Sequence, residues 1–134
     1  MTMLMLNQQG WYLYELHWYR QFKIELYWIS AENYCRTFGG NLVSIMNKRE
    51  NDFVDKIREK NNIWIGLNKF NDTFGVYKWS DGSQATYLNW DSTQPNEPNV
   101  HCVYMKFNEH QATWFDYSCH TRSPMSFVCK LKAF

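Results

Sequence analysis

Four cysteines constrain this chain more than any other feature. Cys35 stands alone in the first third, while Cys102, Cys119 and Cys129 gather near the end, and no two form the C-x-x-C pair that zinc ribbons and thioredoxin-like redox sites need. The even count, together with the N-x-T acceptor Asn71-Asp72-Thr73, points to two disulfides in an extracellular or secretory-lumen setting, with Asn71 as the glycosylation site. The alternative is four buried thiols in a cytosolic protein. Four cysteines allow three pairings, and the sequence by itself does not choose among them. Met1 to Leu6 is apolar but shorter than a signal-peptide core and lacks a cationic start, so the chain is expected to begin after its native leader.

A chain of 134 residues holds one hydrophobic core. Residues 1–10 read as an N-terminal extension and 11–134 as a single domain. The net charge of +1 provides no field for a nucleic acid or an anionic membrane. Aromatics at 19% of the chain exclude disorder, because each removes about 150–250 Å² from water. No apolar run approaches the roughly 20 residues of a membrane span.

The first half alternates, then turns helical. Trp11 to Phe22 carries strand-like alternation, and Ile24, Leu26 and Trp28 continue it. Ser30 is expected to cap a helix whose inner face is Ala31, Tyr34, Cys35 and Phe38, stopped by Gly39-Gly40. Asn47 and Glu50 have the form of a second helix start, with Phe53, Val54 and Ile57 as its buried stripe and the charges between them as a solvated face. From there the pattern is β. Ile63 to Leu67 reads as a strand covered on both faces, Val76 to Trp79 as a strand closed by the turn Ser80 to Ser83, and Val103 to Phe107 and Met125 to Lys130 as alternating strands. Between Leu88 and Cys102 the Asn, Asp and Pro content predicts a long loop.

Taken in order, Ser30-Ala31, Cys35, Phe38-Gly39-Gly40-Asn41-Leu42-Val43-Ser44-Ile45, Glu50, Trp64-Ile65-Gly66-Leu67, Trp79-Ser80-Asp81-Gly82, Asn89-Trp90, Gln94-Pro95-Asn96, Cys102, Trp114-Phe115-Asp116, Cys119 and Cys129 resemble the C-type lectin-like domain. The match runs from Trp11 to Lys130. The resemblance implies an α+β fold with paired terminal strands, two helices flanking small antiparallel sheets, and a long ligand-binding loop. It also implies the pairs Cys35–Cys129 and Cys102–Cys119, closing loops of about 94 and 17 residues, each able to contribute roughly 3–5 kcal/mol in the chain-entropy model. The extra N-terminal disulfide of many members is missing, with Trp18 at the expected cysteine.

Sugar-binding members hold Ca²⁺ with a loop Glu-Pro-Asn or Gln-Pro-Asp, a later acid, and the Asn-Asp of a Trp-Asn-Asp motif. Carried over, Gln94 and Asn96 would supply amide oxygens and Asp116 a carboxylate, whereas the acid is Val100 and the Trp-Asn-Asp asparagine is Phe115. Calcium affinity depends on charge and on 6–8 oxygens, so the site is expected to be weak or lost. Reading Glu97-Pro98-Asn99 as the motif leaves too short a loop before Cys102. Lys69 stands near where a second calcium site would need an acid. Gln94-Pro95-Asn96 mixes the mannose-type and galactose-type motifs, so the sugar is left open. The resemblance also implies a cis bond at Pro95, with a mixed or trans bond as the alternative for a weakened site, since cis costs an X–Pro bond only about 0.5–1 kcal/mol.

Other chemistries have weaker grounds. His101-Cys102 and Cys119-His120 lack a metal-ligand spacing, no G-x-S-x-G elbow is present, and isolated carboxylates such as Glu109 form no acid–base pair, so an enzyme is not expected. Trp64, Trp79, Trp90 and Trp114 are read as core. Tyr87, Phe115 and Tyr117 suit either the core or a stacking role on a ligand. Two functions follow. The preferred one is a calcium-independent recognition module that binds a protein or glycan, such as a cell-surface ligand, through Gln94, Asn96, Glu97, Asn99, Phe115 and Asp116. The other is a calcium-dependent lectin built on Gln94, Asn96 and Asp116.

Overall fold

The computed structural model describes residues 6, 8–109 and 111–134. Eight strands form one sheet: β1 (Tyr12–Tyr14), β2 (His17–Leu26), β3 (Asn41–Leu42), β4 (Ile63–Asn68), β5 (Lys78–Trp79), β6 (Cys102–Met105), β7 (Trp114–Tyr117) and β8 (Met125–Lys132). Two helices pack on the sheet among the described residues, α1 (Trp28–Arg36) and α2 (Lys48–Ile57). The main order is β1-β2-β8-β4-β6-β7, with β3 on β8 and β5 on β4. The pairs are antiparallel except β4–β8, which runs parallel at Ile63↔Ser126 and Trp64↔Phe127 and joins the paired terminal strands to the strands that carry the loop.

Alternation along the strands makes a core on each face. Phe127, Cys129, Trp64, Cys102 and Tyr104 face a cluster closed by Trp28, Ala31 and Cys35 of α1. Val128, Ile63, Ile65, Leu67, Val103 and Met105 face a second cluster closed by Val54 of α2 and by Trp79 and Trp114. All of β4 is buried for this reason. Gly66 allows the close approach, since a Cβ there would stand 2.8 Å from the Leu42 carbonyl oxygen and 2.9 Å from Ser80 Oγ. Leu6, from the segment read as an extension, packs in the first cluster.

Both disulfides take the family pairing, Cys35–Cys129 and Cys102–Cys119, and leave no free cysteine. The first ties α1 to β8. The second closes the base of the long loop.

Several elements differ from the sequence reading. α1 begins at Trp28, with Tyr27 in the N-cap position and no side-chain cap, rather than at Ser30. Tertiary contacts hold its start: the Trp28 N–H donates to the Cys119 carbonyl at 3.0 Å and the indole N–H to the Ile65 carbonyl at 2.9 Å. α1 ends at Arg36, and Phe38 packs on Trp11 and Phe22 from the following turn, where Gly39 takes φ +86°. Only Lys78–Trp79 of the run from Val76 is strand, because the Val76 N–H donates to Asp72 Oδ2 at 2.7 Å. Phe107 leaves β6 because its N–H donates to Asn62 Oδ1.

The charges near α2 are not all solvated. Asn47 caps the helix through the Glu50 N–H at 2.8 Å as expected, but Glu50, Asn51 and Arg58 are buried. Glu50 Oε2 accepts from Lys130 Nζ at 2.6 Å and from the Tyr19 hydroxyl at 2.5 Å, and Oε1 from the Met46 N–H at 2.8 Å. Lys130 Nζ also donates to the carbonyl and hydroxyl of Ser44, both at 3.1 Å. Burial and the Glu50 charge hold the Tyr19 hydroxyl far above the ordinary phenol range, so it remains a donor.

Candidate functional site

The long loop is fastened at both ends before its tip is shaped. At its start, Trp90 bridges to Trp114, the Trp114 N–H donates to the Asn89 carbonyl at 2.9 Å, and the Asp91 N–H donates to the Trp114 carbonyl at 3.1 Å. The Asp91 carboxylate then accepts from the Thr93 hydroxyl and N–H, which holds it below its ordinary pKa. At its end, the Lys69 N–H donates to the His101 carbonyl at 2.9 Å and the Cys102–Cys119 bridge follows.

β7 sets the tip. Gln94–Pro95 is cis. Gln94 Oε1 accepts from the Asp116 N–H at 3.2 Å, and Asp116 Oδ2 accepts from the Asn96 N–H at 3.0 Å and the Glu97 N–H at 2.9 Å. Asp116 is 6% exposed, and its Oδ1 is buried without a hydrogen-bond partner. Beyond Glu97 the Val100 N–H returns to the Glu97 carbonyl at 3.2 Å, and the Val100 side chain is buried. Glu97 is ion-paired with Arg122 at 3.0 Å, and Lys69 Nζ donates to the Pro98 carbonyl at 3.1 Å. Lys69, Pro95, Asn96, Glu97, Pro98 and Asp116 line a cavity of about 280 Å³.

Gln94, Asn96, Glu97 and Asp116 are therefore brought together. Asn99 is exposed on the same segment. Phe115 is not part of the group: adjacent strand residues point to opposite faces, and its ring lies 5.9 Å from Tyr104 with Lys106 Nζ 4.9 Å from its centroid. Tyr117 shares that face, 5.4 Å from Tyr104. Trp64, Trp79 and Trp114 are buried as expected, while Trp90 is half-buried and with Tyr87 lines a groove of about 480 Å³. His101, His120 and Glu109 are exposed. Asn71 is exposed in a turn at φ +61°.

Reasoning from the sequence missed Arg122 and Tyr77 and saw Lys69 only as a missing acid. Tyr77 packs on Trp90, and burial together with the nearby Asp116 charge pushes its hydroxyl up to about 12. Nothing in the local pattern signals these residues, because each reaches the loop from a distant turn.

The oxygen set at the tip is short for a hard cation that takes 6–8 oxygen ligands. Gln94 Oε1 and Asp116 Oδ2 already accept backbone N–H groups, Val100 contributes only hydrocarbon, and an ammonium lies beside the cavity. Among the described residues no group of three or more His, Cys, Asp or Glu side chains could hold a metal ion.

A helix on each face of a sheet whose terminal strands pair, two nested disulfides and a loop fastened over β7 define a known class of domain. The lectin C-type domain model matches residues 24–131, and the chain belongs to that family, whose domains are non-enzymatic. The chain is 35% identical over 129 residues to C-type lectin lectoxin-Lio1 of Erythrolamprus poecilogyrus, covering 90% of this chain and 77% of the relative. Among solved structures it is similar to the C-type carbohydrate-recognition domain of cow CD23, crystallised in the presence of a GlcNAc2Man3 oligosaccharide (TM-score 0.84, 29% identity, 94% of this chain and 95% of that one). It is also similar to a calcium-independent type II antifreeze protein (TM-score 0.85, 26% identity, 93% of each chain). Among the described residues no helix is long and apolar enough to cross a membrane.

Proposed function

We propose that residues 11–134 form an extracellular recognition module, preceded by the 1–10 extension, that binds a glycan or a cell-surface protein through the face of its long loop without calcium. One observation carries this reading. The groups that would hold the metal are engaged inside the protein, with Asp116 Oδ2 gripping two loop N–H groups and Gln94 Oε1 gripping β7. The exposed side chains at the tip, Asn96 and Asn99 with the half-buried Glu97, are the ligand-facing polar groups, and Gln94 and Asp116 support them from below. Asn71 is the proposed glycan acceptor, and the two disulfides accord with an oxidising compartment.

The second reading is a calcium-dependent lectin using Gln94, Asn96 and Asp116: the unpartnered Asp116 Oδ1 favours the metal, and the likeness to the CD23 carbohydrate-recognition domain favours the sugar. A glycan array and a cell-surface binding screen, each run in calcium and in excess chelator, separate the two. Binding that survives chelation and falls on Asn96→Ala or Glu97→Ala supports the first reading. Binding abolished by chelation alone supports the second.

A further inference from the structure

A polar side-chain atom buried with no hydrogen bond is costly, and more so when it carries charge. The Asp116 carboxylate oxygen Oδ1 is such an atom, and the nearby Tyr77 hydroxyl is a second, uncharged one. Both lie where the long loop folds over β7, and the Lys69 ammonium is placed there. Lys69 follows β4 directly, and its backbone is fixed by the hydrogen bond to His101. Its side chain crosses to the loop, where Nζ donates to the Pro98 carbonyl at 3.1 Å and stands 5.3 Å from the centroid of the Tyr77 ring. Among the described residues Lys69 has no carboxylate within ion-pair distance, whereas Lys78 is paired with Asp72 and Arg122 with Glu97. The cavity it lines has Asp116 in its wall.

The structure assigns to Lys69 the part of a resident cation: its ammonium holds the tip Pro95–Pro98 over the buried Asp116 carboxylate, so that the loop is ordered by a charge that is part of the chain. A buried carboxylate with one oxygen left unpaired is stabilised further by a positive charge across the same cavity. A tethered ammonium supplies that charge without the ligand count of a metal. The loop is then insensitive to chelators, and its shape depends on a side chain from the far end of β4. Lys69 is a positioning residue, acting on the ligand-facing groups through Pro98 and Asp116.

The assignment rests on the reading of this loop as the recognition face only for its consequence in binding. Its test is therefore made without ligand, so that a failure of the one leaves the other intact. Residue-resolved amide exchange is measured by NMR in excess chelator, comparing the wild type with Lys69→Met, Lys69→Arg and Lys69→Ala. In Lys69→Met, which keeps the packing of the stem, the Asn96 and Glu97 amides are expected to exchange at least tenfold faster, with Ile65 in β4 unchanged. Lys69→Arg is expected to return them to within threefold of wild type. In Lys69→Ala, ethylammonium chloride is expected to slow their exchange and ethanol at equal concentration to have no effect. Should Lys69→Met not fold, Lys69→Gln is read in the same way. Asn96 and Glu97 exchanging within threefold of wild type in the uncharged variants, or rescue by ethanol as well as by ethylammonium, would overturn the assignment.

Discussion

Replacing Lys130 by methionine removes the positive member of a buried pair and leaves Glu50 charged in the second core cluster's wall, with both side chains only 7% exposed. Breaking such a pair from one side costs about 3–5 kcal/mol. Glu50 keeps two partners, the Tyr19 hydroxyl and the Met46 N–H, which places the expected loss near the lower end, about 3 kcal/mol. With an unfolding entropy of about 2.1 cal/mol/K per residue over 134 residues, the melting temperature should fall by about 11 °C. Thermal unfolding followed by circular dichroism reads this directly. Adding Glu50→Gln removes the uncompensated charge and keeps an oxygen for Tyr19 or Met46, so Lys130→Met with Glu50→Gln should recover at least half of the loss. A single variant that melts within about 4 °C of wild type, about 1 kcal/mol on this scale, or a double variant no better than the single, would refute the reasoning.

The two disulfides should differ in worth. With loops of 94 and 17 residues, removing Cys35–Cys129 as a double alanine variant should cost about 1.5 kcal/mol more than removing Cys102–Cys119, and equal melting temperatures for the two would contradict this. The turn that carries Asn71 should be acid-sensitive. Hydrogen bonds from the Val76 N–H, Lys78 and the Phe74 N–H hold Asp72 below its ordinary pKa, so its contribution is present above that value and is lost as pH falls through the depressed one. The Val76 and Phe74 amides should exchange faster there after correction for intrinsic rates, and Asp72→Asn should abolish the pH dependence.

The two-sided core was legible in the sequence: the apolar run Ile63 to Leu67 reads as a strand covered on both faces and Met125 to Lys130 as an alternating one, while which residue faces which helix came from the structure. The helix stripe at Ala31 and Cys35 was equally plain. The start of α1 was not, because Trp28 is held by Cys119 and Ile65 rather than by a local cap. The strand β7 was also hidden. Trp114 to Tyr117 was visible only as a motif, since its two faces pack on opposite cores and its pairing comes from β6. Charge was the least legible property. Glu50, Arg58 and Lys130 have the residue types of a solvated face, and their burial follows from partners far along the chain. At the loop, that Gln94, Asn96 and Asp116 come together was legible. That Phe115 turns away while Lys69 and Arg122 turn in depends on contacts that no local spacing encodes.

Calorimetric titration of the wild-type domain with Ca²⁺ tests the central claim most directly. A loop whose oxygens already grip the backbone and whose cation is Lys69 should bind Ca²⁺ no more tightly than about the millimolar range, the weak end for oxygen-ligand sites. A dissociation constant in the micromolar range, lost on Asp116→Asn, would contradict the account and turn the reading toward a calcium-dependent site.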